Sequence, residues 1–439
     1  MKSPTYKQLA WYPILAVGLS MMSFILIKTA RDTVFFQNDG LRQLPLAYIW
    51  IAFASIPAGV LHLNMIERFG ARRTRIGVFF IAALTFLIFF PFVDINQRAL
   101  MTMMFIWVPT IFAALFAGAW LLAGDLLEGA DETIIRWAYS RIGAGSMIGG
   151  VLGGLIGKGL SSFAGPKYLI LGGALVLILV GALLSKAHQR RAFSETKNEK
   201  SPTKKDSVFK LVAEQKNLIK QPYILILLGV SVFATMAALF IDFQFYATAM
   251  ITGNNNAQFF ANFYIVLNTA SLLLQIFMAP RLQRKFGVAG ALLLLPTVLF
   301  GMAGTFTVWT FVQARSVLKV TEGGLKASIH RSFWEQAFLL VDREKRPIVK
   351  MIVDGMFARM GEGLASIVLL IWLLNSSGSL QDLNLRWISW VIVGVIGLWI
   401  GLTRRLRTAG CSRVSYSESA IRLHDGCPIV STLGGEKRR

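Results

Sequence analysis

Arg315, Lys319, Glu322, Lys326 and His330 follow one another in steps of four, three, four and four. On a helix that spacing aligns all five on one face, opposite Val317, Leu318, Val320, Leu325 and Ile329. Three cations, an acid and an imidazole in a row can hold an anion. Arginine offers a planar fork to a phosphate or carboxylate, and lysine offers a compact charge. The acid can neutralise the empty site or take up a proton. Three further groups have the same character. Lys28, Arg31 and Asp32 close the first apolar run, and Asp242 ends the seventh. Lys350, Asp354, Arg359 and Glu362 recur along the eleventh, where Asp354, Arg359 and Glu362 share a broad face. Glu322-Gly323-Gly324 predicts a local break in its helix, since paired glycines weaken it. The competing reading is that these charges only pair with one another, with Lys326 and Lys350 snorkelling to the surface.

The elements that carry these residues are apolar. Of 439 residues, 55% are hydrophobic and 15% charged, which no ordinary soluble domain matches. The apolar residues fall in runs of roughly 18–25, long enough to cross a bilayer as helices. Ionisable groups inside such runs are expensive and face a wet or protein-lined interior. The formal net charge of +22 is a topology signal: the basic residues sit in alternate loops between the runs. That placement excludes a nucleic-acid partner.

Twelve spans are expected, at about 9–27, 45–66, 76–93, 101–123, 142–163, 168–185, 223–243, 257–279, 288–308, 309–333, 347–374 and 385–403. They group into an N-terminal six-helix bundle (1–185), a basic linker (186–222), a C-terminal six-helix bundle (223–403) and a tail (404–439). The linker holds ten Lys/Arg against four Asp/Glu, with an amphipathic stretch expected at 206–220. The basic loops put both termini, the linker and the tail in the cytoplasm, with the protein in the inner (plasma) membrane. The first span lacks a small-residue cleavage site and reads as an anchor helix.

The two halves echo each other. Arg68-Phe69-Gly70 and Lys285-Phe286-Gly287 lie 217 positions apart, and the same offset carries Asp125 onto Asp342. Arg68, Arg72 and Arg73 with Asp125, and Arg284 and Lys285 with Asp342, are therefore expected to form a cytoplasmic latch in each bundle that breaks on opening. A plain topology signal made of arginine is the alternative.

Two six-helix halves, a central basic loop and RFGARR-type turns after helices two and eight resemble the major facilitator superfamily. Within it, LIKTARDTVFF (26–36), SRIGAGSMIGGVLGG (140–154) and HRSFWEQAFLLVDREKRPIVKMIVDGMFAR (330–359) resemble the nucleotide transporter family. That family includes the ATP/ADP translocases of plastids and intracellular bacteria and their bacterial relatives. Glu335, Lys350, Asp354 and Arg359 stand where the family pattern has Glu, Lys, Asp and Arg. The resemblance covers most of residues 9–403 and implies ATP:ADP antiport or a related nucleotide exchange. In one place the sequence departs from the pattern. The exchangers carry an acid within the fourth helix, whereas TMMFIWVPTIFAALFAGAWLLAG has none before Asp125.

No catalytic constellation is present. His62, His188, His330 and His424 lie far apart, and Cys411 and Cys427 make neither a metal spacing nor a disulfide framework. The glycines at 143, 145, 149, 150, 153, 154 and 157 lack the Gly-Lys-Ser/Thr ending of a phosphate loop. Their four-residue spacing predicts close helix packing. The expectation is an all-α membrane protein of major facilitator type, no enzyme, without metal or cofactor, a monomer whose partners are the lipid bilayer and a small anion. It would be a secondary transporter working by alternating access, with the site between the bundles. Nucleotide or other phosphorylated or carboxylated anions are the expected substrates, driven by a counter-anion or a proton. Arg315, Lys319, Glu322, Lys326, Lys28, Arg31, Asp32, Asp354 and Arg359 are the expected substrate-binding residues. An exporter of amphipathic compounds, a lipid translocator and a non-transporting scaffold are the alternatives.

Overall fold

The computed structural model describes residues 6–37, 40–95, 98–127, 131–192, 221–253, 256–308, 312–338, 341, 349–376 and 385–417. Helices α1 (Tyr6–Gln37), α2 (Gly40–Phe69), α3 (Ala71–Phe89), α4 (Arg98–Leu127), α5 (Glu132–Phe163) and α6 (Lys167–Ala192) make up the first half. The second half contains α7 (Pro222–Ile251), α8 (Ala257–Leu273), α9 (Ala279–Val308), α10 (Val312–Leu325), α11 (Ala358–Asn375) and α12 (Leu385–Ser417). No strand occurs among the described residues.

Nine helical stretches among the described residues are long and apolar enough to cross a membrane. A shorter apolar helix spans Leu292–Thr305. The exceptions have a compositional reason. α5 is rich in glycine, and α10 carries Arg315, Lys319 and Glu322 within two and a half turns. A helix that stays polar in this setting needs partners inside the protein.

By proximity the chain divides into two compact units. The first comprises Met1–Ser201 and Ala249–Leu272, the second Pro202–Thr248 and Leu273–Arg439. In the first, α1 packs along α4, α5 and α6, and α3 packs on α6. The glycines of α5 set the closest approach, as their spacing predicts. A Cβ on Gly153 would lie 2.7 Å from the Met22 carbonyl oxygen, and one on Gly149 would overlap the Gly18 backbone. On the neighbouring face, Gly150 and Gly154 leave room for Asn268 and Ile265 of α8. Phenylalanines fill the interior around α1 and α4: Phe35 stacks on Phe105 at 4.2 Å, and Phe24 meets Phe112 at 5.0 Å.

In the second unit, α9 lies along α12, and α7 is pinned to three elements by polar side chains. Tyr223 donates to the Ala337 carbonyl (2.8 Å), and Ser231 to that of Val353 (3.0 Å). Gln244 donates to Ser389 Oγ (2.7 Å) and the Leu385 carbonyl (3.0 Å). Elsewhere, hydroxyls return to the carbonyl one turn back, as in Ser20 to Ala16 and Thr29 to Ile25. Each of these donors has an acceptor within the protein.

Several expectations on helix limits change. Asp242 does not end its helix. α7 runs on to Ile251, so Asp242 lies more than two turns inside it. The expected turn at 281–287 is helical throughout. The physical difference is at the glycine. Gly70 takes φ 84°, a left-handed conformation that terminates α2, whereas Gly287 is not among the positive-φ glycines. The break expected at Glu322-Gly323-Gly324 falls just after it. α10 continues to Leu325 and then widens into a π-type turn over Lys326–His330, followed by a further helical stretch, Arg331–Ala337. Similar wide turns occupy Leu274–Met278 after α8 and Met351–Phe357 before α11. The amphipathic stretch expected at 206–220 lies outside the described residues.

Candidate functional site

The expected binding residues gather into two charged clusters, one in each unit, and a set of separate pairs. The first cluster is built on α10 and α7. Lys319 Nζ lies 2.6 Å from Asp242 Oδ1 and 2.6 Å from Glu322 Oε2, so one ammonium serves two carboxylates. The other oxygen of Glu322 faces Lys326 Nζ at 3.5 Å. One turn before Lys319, Arg315 Nη1 donates to Thr248 Oγ1 at 3.2 Å. Burial is graded along the row: the Glu322 side chain is 4% exposed, Lys319 14% and Lys326 49%. The opposite face behaves as the periodicity requires, with Leu318, Leu325 and Ile329 buried.

This arrangement has a net sign. Three cations face two carboxylates, and Arg315 rests on a neutral hydroxyl. Taking such a guanidinium out of bulk water is costly, and a hydroxyl repays less of that cost than a carboxylate would. A guanidinium can offer a planar pair of donors to an acceptor with two oxygens. The acids keep Lys319 in place without cancelling the row.

His330 does not extend the row. Widening of the helix over Lys326–His330 breaks the four-residue register, and the imidazole is buried among indoles. It stacks on Trp334 at 6.0 Å and meets Trp399 edge-on at 5.7 Å. Its Nδ1 has no hydrogen-bond partner among the described residues.

The second cluster lies within α1, at Lys28, Arg31 and Asp32. Asp32 is fully buried and accepts from Arg31 through Nε at 2.8 Å and through Nη2. Its other oxygen accepts from the hydroxyl of Tyr264. Aromatic faces cover the cations: the Arg31 guanidinium lies 4.1 Å from the Phe105 ring centroid, and Lys28 Nζ 4.8 Å from that of Tyr264. These residues are interior, not at an exposed helix end.

The remaining expected residues are engaged in pairs around α11. Arg359 is held by Glu362 at 2.6 Å, Asp354 accepts from Trp334 Nε1 at 2.8 Å, and Lys350 is paired with Glu335. Their one-face spacing yields local pairs because each finds a partner within a turn or on the adjoining helix. Of the expected latch residues, Arg68 and Arg73 are exposed, and the Arg68 guanidinium lies 5.5 Å from the Phe69 ring. The side chains of Arg72, Asp125, Arg284 and Lys285, and Asp342 as a whole, lie outside the described residues.

Sequence reasoning missed Thr248 and Tyr264. Neither carries a spacing signal, since an aromatic in QFFANFYIVLN reads as core and a threonine in FYATAMI as a helix-packing residue. Only the neighbouring helix gives them a polar role. Among the described residues, no group of His, Cys, Asp and Glu could hold a metal ion.

The sequence is similar to the MFS/sugar transport protein family over residues 132–322. No curated protein matches it. Among solved structures, a mutant of the nucleoside transporter NupG superposes with TM-score 0.67 at 12% identity, covering 91% of this chain and 99% of that one. Unmutated NupG gives 0.56 at 13% identity, with 91% and 98% coverage. The POT family transporter PepTSo gives 0.61 at 11% identity, with 94% and 99% coverage. A chain whose described residues form helices and no strand, nine of the helices long and apolar enough to cross a bilayer, and which superposes over nine-tenths of its length on these transporters, is a multi-pass membrane protein with the major facilitator fold.

Proposed function

We propose that this protein is a secondary transporter of a small organic anion, with a phosphorylated compound such as a nucleotide as the favoured substrate. The observation that carries this reading is the α10 row: Arg315, Lys319 and Lys326 set against Asp242 and Glu322, with Arg315 resting on Thr248. Fixed charge of this kind inside a membrane bundle marks a substrate or ion pathway. The wide helical turn at Lys326–His330 supports it, since irregular backbone at membrane depth is tolerated where it lines a cavity or is buried in protein. The Lys28–Arg31–Asp32 cluster supplies a second cationic locus of the same chemistry. The solved neighbours contribute the fold to this reading, and the substrate class comes from the charges.

Alternating access moves the anion, driven by counter-exchange or by a proton taken up on one of the acids. The basic loops face the cytoplasm in this reading. Counterflow in proteoliposomes tests it. Vesicles are preloaded with unlabelled ATP, ADP, phosphate or a dicarboxylate, and entry of the labelled species is followed beside an Arg315→Ala, Lys319→Ala variant. Preload-dependent entry that vanishes in the variant is the expected result. No entry of any of these anions into vesicles of folded protein overturns the anion reading and favours an exporter or a scaffold.

A further inference from the structure

Arg141 stands at the edge of the apolar run of α5, which the sequence places from 142 onward. Its guanidinium lies 4.2 Å from the centroid of the Trp137 ring. Trp137 in turn meets Trp11 of α1 edge-on at 6.4 Å and packs against the buried Ala10 and Ala138. Arg141 also heads a stripe. Ile148, Leu152 and Leu155 follow it in steps of seven, four and three, which aligns all four on one face of the helix. All four are exposed, as are Trp11 and Leu15 of α1. This face is separate from the two that α5 uses for packing. Gly145, Gly149 and Gly153 meet α1, and Gly150 and Gly154 meet α8. In a chain that spans a membrane, an exposed apolar stripe faces acyl chains. A guanidinium at its end, beside two indoles, sits at the height of the headgroups.

We propose that this face binds one anionic phospholipid, its phosphate on Arg141 and an acyl chain along Ile148, Leu152 and Leu155. The site does not depend on what the protein transports. A guanidinium offers a planar pair of donors to a phosphate, and a ring contact steadies it without taking up its N–H groups as a carboxylate would. Asp131, the acid that precedes α5, lies about 15 Å away along the axis at 1.5 Å per residue, too far to pair with Arg141. The charge therefore favours an anionic headgroup over a zwitterionic one, since a choline or ethanolamine brings its own cation to the phosphate. The stripe selects a lipid over a free phosphate, which would use Arg141 alone and leave the apolar side chains without a role.

Native mass spectrometry of the full chain tests this. The purified protein is incubated in detergent with equal amounts of phosphatidylglycerol and phosphatidylcholine of matched acyl chains, and the lipids retained on release from the micelle are counted. Phosphatidylglycerol is expected to be retained several-fold over phosphatidylcholine, and Arg141→Gln to lose one bound phosphatidylglycerol while leaving phosphatidylcholine unchanged. Leu152→Gln keeps the charge and interrupts the exposed stripe, so it tests the acyl groove without disturbing the core. It is expected to lose the same lipid. Equal retention of the two lipids by the unmodified protein overturns the proposal and leaves the indoles as a general membrane anchor. Unmodified phosphatidylglycerol retention in Arg141→Gln, or in Leu152→Gln, overturns it as well. Displacement of that lipid by millimolar glycerol phosphate overturns the lipid assignment in favour of a free phosphate. A dimer that is lost in Leu152→Gln overturns it by giving the stripe to a second copy of this chain.

Discussion

Replacing Lys319 by alanine removes the one ammonium that serves both Asp242 and Glu322, each 2.6 Å away. Glu322 is buried, and its other neighbour, Lys326, is half-exposed at 3.5 Å. The variant thus strands two carboxylates in the bundle, one of them almost out of contact with solvent. Removing one partner of a buried pair costs about 3–5 kcal/mol, which is roughly a 10²- to 10⁴-fold change in the folding equilibrium. The counter-variant is Lys319→Ala with Asp242→Asn and Glu322→Gln. It removes the stranded charges and is expected to recover stability to within about 1 kcal/mol of the unmodified protein. Denaturant titration in detergent, followed by tryptophan fluorescence, measures both. Anion counterflow separates structure from function, since the neutral triple variant should be folded and inactive. A cost below about 1 kcal/mol for Lys319→Ala would refute the closed network and mean that water already reaches both acids. A triple variant that transports normally would refute the role of this row in binding.

Arg315→Lys keeps the charge but loses the planar fork. Counterflow is expected to show an apparent KM raised about tenfold with little change in Vmax, or about 1.4 kcal/mol of lost binding. An unchanged KM would mean that Arg315 acts as a point charge only. Gly149→Leu drives a side chain into the Gly18 backbone and should abolish recovery of folded protein by size-exclusion chromatography. Gly159→Ala on the same helix meets nothing within 4 Å and should be neutral or stabilising by up to about 1 kcal/mol. Equal behaviour of the two glycine variants would refute the packing role of the stripe. Asp354→Asn preserves an acceptor for Trp334 Nε1 and is expected to leave counterflow within about twofold of normal. Loss of transport in that variant would return Asp354 to the substrate path.

The sequence by itself determined the membrane class, the helical architecture and the identity of the charged residues, because hydrophobic run length and helical periodicity are local properties. The glycine spacing of α5 predicted close packing for the same reason: a side chain's absence is written at the position where a neighbour must approach. The α10 row was equally legible as far as Lys326, since four- and three-residue steps fix one face of a regular helix. It failed at His330, where the backbone widens, and a change of helical pitch leaves no unambiguous mark in residue types. Partner choice was decided by tertiary structure alone. Asp242 reaches Lys319 because α7 continues past the point where its apolar run seemed to end. Tyr264 becomes polar in function only when α8 lies beside Asp32. Asp354, Arg359 and Glu362 were expected on one face, yet Arg359 and Glu362 pair with each other and Asp354 accepts from Trp334 of another helical stretch, since a charge bonds the complementary group that packing brings nearest. Charge and periodicity state which groups are costly to bury. Only the packed helices decide which of those costs are met within the protein, and at Arg315 they supply a hydroxyl where a carboxylate would have closed the account.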